Sequence, residues 1–405
     1  MDQPAPSQPR PALAYYLIIN ATMFLFGFIE NIKGVSFPLI KHEFGVSYDQ
    51  QGGLVSSAWF GYVIFCLVAS LALQRFGLKQ ALLAGYALIF LGALATLVAP
   101  SFWAASLALI AINAGFGFWE VGTNAMGTVV FTVRAALMMN LLHFFYGFGA
   151  IAGPVAAGFL SDRFGLTWRQ IYLATLVPTA AFALFILFTR FRLGTHAGAE
   201  EPTDNRPRLT FGQAFRQPLV WLFSGTLGFM EIIEFGASNW GGLYLKDVYG
   251  LDPRVVGAGF VSLFYVLFTV SRLGGGLAIE RLGYHRSLLL SCWATIVVLA
   301  LGFALGRRGI WLLPGTGLFI AIMWPTLMAL AMHAFGRNAA ICTSAIITLS
   351  GAINGLFQLV IGVTNQHLGY AWGYRSCVLY AFAVLIMLHF LGTGLRRNDR
   401  RTTAS

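Results

Sequence analysis

Long apolar stretches alternate with short polar breaks along almost the whole chain. Twelve stretches, 13–40, 50–73, 79–99, 102–130, 136–159, 168–190, 217–246, 254–279, 287–306, 310–332, 339–362 and 371–393, each supply roughly 20 or more apolar positions, the length at which a helix crosses the hydrocarbon core of a bilayer. Short breaks force successive helices to cross in opposite directions. The longest polar stretch, from Arg190 to Arg216, carries Pro202 and Pro207 and divides the set six and six. These patterns predict an N-terminal six-helix bundle over 1–195, a linker over 196–216, and a C-terminal six-helix bundle with a tail over 217–405.

A short phrase repeats at the ends of four of these runs. Gln74-Arg-Phe-Gly77, Asp162-Arg-Phe-Gly165, Glu280-Arg-Leu-Gly283 and Gln366-His-Leu-Gly369 close the second, fifth, eighth and eleventh runs. The first and third copies lie 206 residues apart, the second and fourth 204. Gly ends the helix and permits a tight turn, and the acid or amide before it can engage exposed backbone donors or a neighbouring base. The spacing predicts three-helix units duplicated twice, with consecutive units inverted in the membrane. Gln74, Arg75, Asp162, Arg163, Glu280 and Arg281 are therefore candidate gating residues, joined by Arg272 inside the eighth run, expected to pair near the cytoplasmic side.

Composition removes the other classes. At 58% hydrophobic, 10% charged and a mean hydropathy of +0.73, the chain has more apolar surface than one soluble core could bury. Cys66, Cys292, Cys342 and Cys377 all lie in apolar runs without a paired motif, so neither a metal site nor a disulfide framework is expected. Met1 to Ala12, rich in proline, reads as a polar tail before an uncleaved anchor. Of the 26 Lys and Arg, sixteen fall on the N-terminal side of the membrane, eight on the other, and two, Lys33 and Arg272, inside spans. The positive-inside rule places both termini in the cytoplasm of an inner membrane. It also accounts for the net charge of +11 without nucleic acid, since no basic stripe interleaves with aromatics.

Ionisable groups at membrane depth are costly and so mark function. The fourth run carries Asn113, Gly117, Glu120 and Asn124 at spacings of 4, 3 and 4, one helical face. A carboxyl held in such a low-dielectric span suits proton exchange near neutral pH. Glu30, Asn31 and Lys33 in the first run offer either an i, i+3 ion pair or, should Pro38 mark the membrane edge, a lysine that snorkels to the surface. Asn140 and His143 share a face of the fifth run; His143 suits a sugar hydroxyl or a proton relay. The seventh run adds Glu231, Glu234, Asn239 and Trp240, whose indole serves sugar stacking or interfacial anchoring. Asn354 and Gln358 sit four apart in the eleventh run, and Trp324-Pro325 predicts a bend in the tenth. No nucleophile pairs with a base, so no enzyme is expected.

The twelve runs, the charged central loop and the turns Arg75-Phe-Gly77 and Arg281-Leu-Gly283 resemble the major facilitator superfamily, over about residues 13 to 393. Gln74 departs from its usual aspartate. The resemblance implies an all-alpha transmembrane fold of two six-helix halves with inverted three-helix repeats, working as a monomeric rocker-switch carrier. Within it, Glu120-Val-Gly-Thr-Asn124, His143-Phe-Phe-Tyr-Gly-Phe-Gly149 with Gly153-Pro154, and the Glu234 to Trp240 spacing are similar to the fucose/glucose symporter branch. That implies hexose uptake with H+ as coupling ion, Na+ being the alternative, and no bound cofactor. Phe26-Gly-Phe-Ile-Glu-Asn31 also resembles the branch, but Gly34 stands where its fucose carrier has a proton-handling aspartate, leaving Glu30, Glu120 or Glu234 to couple. The rival reading is a proton-coupled exporter of amphipathic compounds, kept open by the 36 Phe.

Overall fold

The computed structural model describes residues 13–130, 135–191 and 209–402. The tail Met1 to Ala12 and most of the linker lie outside them. Among the described residues twelve helices are long and apolar enough to cross a membrane: α1 Leu13–Phe44, α2 Tyr48–Leu73, α3 Leu78–Leu97, α4 Phe102–Gly127, α5 Leu141–Phe164, α6 Trp168–Phe188, α7 Pro218–Tyr249, α8 Pro253–Gly275, α9 Tyr284–Ala304, α10 Leu313–Phe335, α11 Ile341–Leu368 and α12 Trp372–Leu395. Large apolar side chains such as Leu71, Val98, Phe188 and Leu273 stand exposed on the outside of the bundle, where lipid rather than water is the compatible solvent.

The helices form two pseudo-symmetric halves. In the first, α1 packs along α5 and α2 along α4; in the second, α7 packs along α11 and α8 along α10. A three-helix repeat relates these pairs, since adding three to helices 1 and 2 gives helices 4 and 5. The same operation serves the second half. Across the halves, α2 meets α11, α5 meets α8, and α1 meets α7.

All four repeated phrases end in a glycine at positive φ: 86° at Gly77, 65° at Gly165, 80° at Gly283 and 107° at Gly369. A side chain there would strain the backbone, which is why the phrase must end in glycine. Close approach supplies the remaining constraint, because lipid gives helices no hydrophobic drive to associate and packing must do so. At Gly149 an added Cβ would lie 2.0 Å from the Phe24 carbonyl oxygen, so α1 and α5 touch backbone to backbone.

Two spans change course. In α1 the helix is interrupted at Ile32, between Asn31 and Lys33. In α10 regular helix stops at Ile320 and resumes at Met323, matching the bend expected at Trp324-Pro325. The cause is Pro325, which lacks the N–H that would bond Ala321 and whose ring crowds that carbonyl.

One end of the bundle, bearing Tyr48, is joined across the halves. The backbone N–H of Tyr48 donates to Gln366 Oε1 at 3.1 Å, and the Tyr48 hydroxyl donates to Asp247. Lys41 Nζ sits 4.2 Å above the Tyr48 ring, and Gly242 meets the Gly34 carbonyl so closely that an added Cβ would lie 2.5 Å away.

Candidate functional site

Lys33 and Glu30 form a direct, buried ion pair one turn apart on α1. Lys33 is only 5% exposed, so it does not snorkel to the surface; the Ile32 interruption leaves it in the interior. Its ammonium lies 6.0 Å from the Trp59 ring and 5.9 Å from the Phe235 ring, which adds cation–π attraction to the pair. Glu30 and Lys33 line a small pocket with Asn113, Phe116, Val55 and Tyr172. Neighbouring Asn31 donates to the Gly27 carbonyl at 2.9 Å and reaches toward Tyr146.

Glu120 lies deeper along α4. Asn124 Nδ2 donates to Glu120 Oε1 at 2.8 Å, so these two residues act as a unit. Gly117 lets α2 approach until an added Cβ would be 2.8 Å from the Tyr62 carbonyl, which sets Tyr62 against the acid. Asn113, on the same face, instead opens into the Glu30–Lys33 pocket.

Arg272 turns toward the centre of the molecule. It is within electrostatic reach of Glu234 and Glu120, and of Tyr146 and Tyr265. Its Nε donates to the Ala321 carbonyl at 3.4 Å, the acceptor that Pro325 leaves without its helical donor. Its guanidinium also lies 4.4 Å from the Phe268 ring. His143 completes this region, 5.9 Å from the Trp324 ring and within reach of Arg272. The Asn140 side chain lies outside the described residues.

The second half contributes an amide network. Gln358 Oε1 accepts from Trp240 Nε1 at 2.8 Å and from Asn239 Nδ2 at 3.3 Å, while Gln358 Nε2 donates to Asn354 Oδ1 at 2.9 Å. Trp240 is 1% exposed and bonded inside the bundle, which removes the interfacial-anchor reading. Glu231 and Glu234 are electrostatic neighbours, Glu231 standing beside Ser350 of α11.

The phrase-borne residues behave unequally. Gln366 does engage a backbone donor, that of Tyr48. Asp162, Arg163, Arg75 and Arg281 are exposed, and among the described residues none of them forms an ion pair. Arg75 instead lies 5.5 Å from the Phe76 ring. The side chains of Gln74 and Glu280 lie outside the described residues. Sequence reasoning passed over Trp59, Tyr62, Phe235 and Tyr265, whose aromatic types are unexceptional in an apolar run. For two of them a glycine lies opposite: Gly355 packs where a Cβ would be 3.2 Å from Trp59 Cβ, and Gly117 where one would be 2.8 Å from the Tyr62 carbonyl. Among the described residues no group of acids, histidines and cysteines could hold a metal ion.

Comparison with known proteins follows this geometry. A curated glucose/galactose transporter of Brucella abortus biovar 1 (strain 9-941) is 25% identical over 367 residues, covering 87% of this chain and 87% of its own. The L-fucose-proton symporter of Escherichia coli (strain K12) is 22% identical over 409 residues, covering 89% of each. Among solved structures, a bacterial homologue of the human lysosomal transporter Spinster, inward-facing and occupied, superposes with a TM-score of 0.71 at 15% identity, over 95% of this chain and 96% of its own. The family model described as Major Facilitator Superfamily matches residues 19–358, and the chain, a twelve-span membrane transporter and not an enzyme, belongs to that superfamily.

Proposed function

We propose that the protein takes up a hexose-like sugar together with protons by alternating access. The observation that carries this is the buried Glu30–Lys33 pair opening into a pocket with Asn113, in a chain similar along most of its length to a glucose/galactose transporter and an L-fucose-proton symporter. An acid paired with a base in the interior can exchange a proton for the base as its partner, so protonation and ligand occupancy become linked. Glu120 and Glu234, both in reach of Arg272, are the further candidates for proton loading. The amides Asn239, Asn354 and Gln358 suit a neutral hydroxyl-rich ligand better than an amphipathic drug.

The halves are taken as 1–195 and 217–405 around the 196–216 linker, with both termini cytoplasmic and the protein a monomer. In that orientation the Tyr48 end faces outward. Its seal by Gln366, Asp247 and Gly242 then describes a carrier closed to the outside.

Proteoliposome uptake tests the reading. An inward proton gradient is expected to drive accumulation of labelled D-glucose, D-galactose or L-fucose, with sugar-dependent proton entry. Sodium replacing protons would reassign the ion, and gradient-driven efflux of amphipathic cations without any hexose response would replace the uptake reading by export.

A further inference from the structure

Among the described residues, Trp59 Nε1 of α2, Glu231 Oε2 and Asn239 Oδ1 of α7 and Asn354 Nδ2 of α11 are buried without a hydrogen-bond partner. Trp59 is 8% exposed, Asn239 2% and Asn354 0%. Buried polar groups in proteins are nearly always bonded, so a cluster of exceptions calls for a ligand or water that completes it. Asn239 and Asn354 are linked through Gln358, and Glu231 lies on the same helix face two turns before Asn239. Glu231, Phe235 and Asn239 follow one another at four-residue steps on α7 and share a face. Phe235 contacts Trp59 edge-on with centroids 4.5 Å apart, and Gly355, adjacent to Asn354, packs on the Trp59 backbone side.

We propose that the seam between α2, α7 and α11 is the hydroxyl-reading face of the sugar site, with Trp59 and Asn354 donating and Asn239 and Glu231 accepting. The assignment deepens the sugar-carrier reading and rests on it. A hydroxyl both donates and accepts, so hydroxyls spread along one edge of a pyranose can serve donors and acceptors placed along the seam. Gln358 is the positioning residue. Its oxygen holds the Asn239 amide by the nitrogen and its nitrogen holds Asn354 by the oxygen, which leaves the opposite ends, Asn239 Oδ1 and Asn354 Nδ2, for the ligand. Trp240 fixes Gln358 in turn.

The seam is separate from the Glu30–Lys33 pocket, and the pair Trp59 and Phe235 stands between them with the Lys33 ammonium about 6 Å from each ring. The proposal thus divides the labour: ion exchange at Glu30 and Lys33 on the first half, hydroxyl recognition at the seam where Trp59 of the first half meets α7 and α11 of the second.

The test is calorimetric binding to the purified full chain in nanodiscs, using whichever of D-glucose, D-galactose and L-fucose binds wild type best, together with its monodeoxy series. Wild type is expected to lose tenfold or more for at least one deoxy analogue, since a site built for a hydroxyl rejects a ligand lacking it. Trp59→Phe, Asn239→Ala and Asn354→Ala should weaken the parent sugar about tenfold while losing that discrimination; Gln358→Leu should do the same without touching ligand. Trp59→Phe preserves ring packing and keeps the test valid if an amide variant fails to fold. Unchanged discrimination in folded variants overturns the seam assignment alone. Absence of wild-type binding to any hexose overturns the sugar-carrier reading itself, and the seam with it.

Discussion

Gln366 Oε1 accepts the backbone N–H of Tyr48 at 3.1 Å across 318 residues of sequence, fastening the end of α11 to the start of α2. The donor is one of the first N–H groups of α2, which have no partner within the helix, so the amide caps a helix belonging to the other half. With the Tyr48 hydroxyl on Asp247, one residue ties two helices of the second half to the first.

Loosening this joint should shift the carrier toward the state open at that end. Tyr48→Phe removes the hydroxyl bond to a charged acceptor, worth about 1.5–3 kcal/mol, or roughly a tenfold to hundredfold change in the population ratio. Spin labels at Phe164 and Leu368, exposed on opposite halves at that end, should report a longer distance in the variant. An unchanged distance distribution removes Tyr48 from gating.

Breaking the Glu30–Lys33 pair should cost stability as well as coupling. Glu30→Gln leaves a buried ammonium without its counter-charge, a loss of about 3–5 kcal/mol, and the double variant Glu30→Gln with Lys33→Met should recover much of it. Thermal unfolding in detergent measures the first effect and gradient-driven accumulation the second. Accumulation at the wild-type level in either variant would exclude the pair from coupling.

Glu120→Gln keeps shape and the bond from Asn124 but cannot release a proton. Accumulation against a gradient is expected to vanish while sugar exchange across the membrane persists; retained accumulation assigns the proton elsewhere.

Pro325→Ala returns an N–H that the Ala321 carbonyl lacks, so the helix should close over its own gap and compete with Arg272 for that acceptor. Stability is expected to rise or stay level while the transport rate falls, because Arg272 loses the contact that turns it toward Glu120 and Glu234. A rate equal to wild type would show that the α10 bend plays no part.

The twelve spans, the bend before Trp324 and the four glycine turns were legible in sequence because each rests on local physics. Apolar run length sets a span, a proline deletes one donor, and a positive φ admits glycine. Even the Glu30–Lys33 pair was visible as an i, i+3 spacing. Its depth was not, since a lysine near a membrane edge and one held in the interior share the same local sequence. Trp240 shows the same limit: an indole anchors at a lipid interface or bonds inside a bundle according to what faces it, here Gln358.

The sequence by itself thus determined the membrane, the number of crossings and the internal repetition, all of which follow from short-range patterns. Tertiary structure alone decided which polar groups meet: Arg272 with the carbonyl freed by Pro325, Gln366 with Tyr48, Trp240 and Asn239 of α7 with Gln358 of α11. Those encounters depend on how closely helices from distant parts of the chain approach, and backbone contacts at glycines such as Gly149 and Gly355 set that distance.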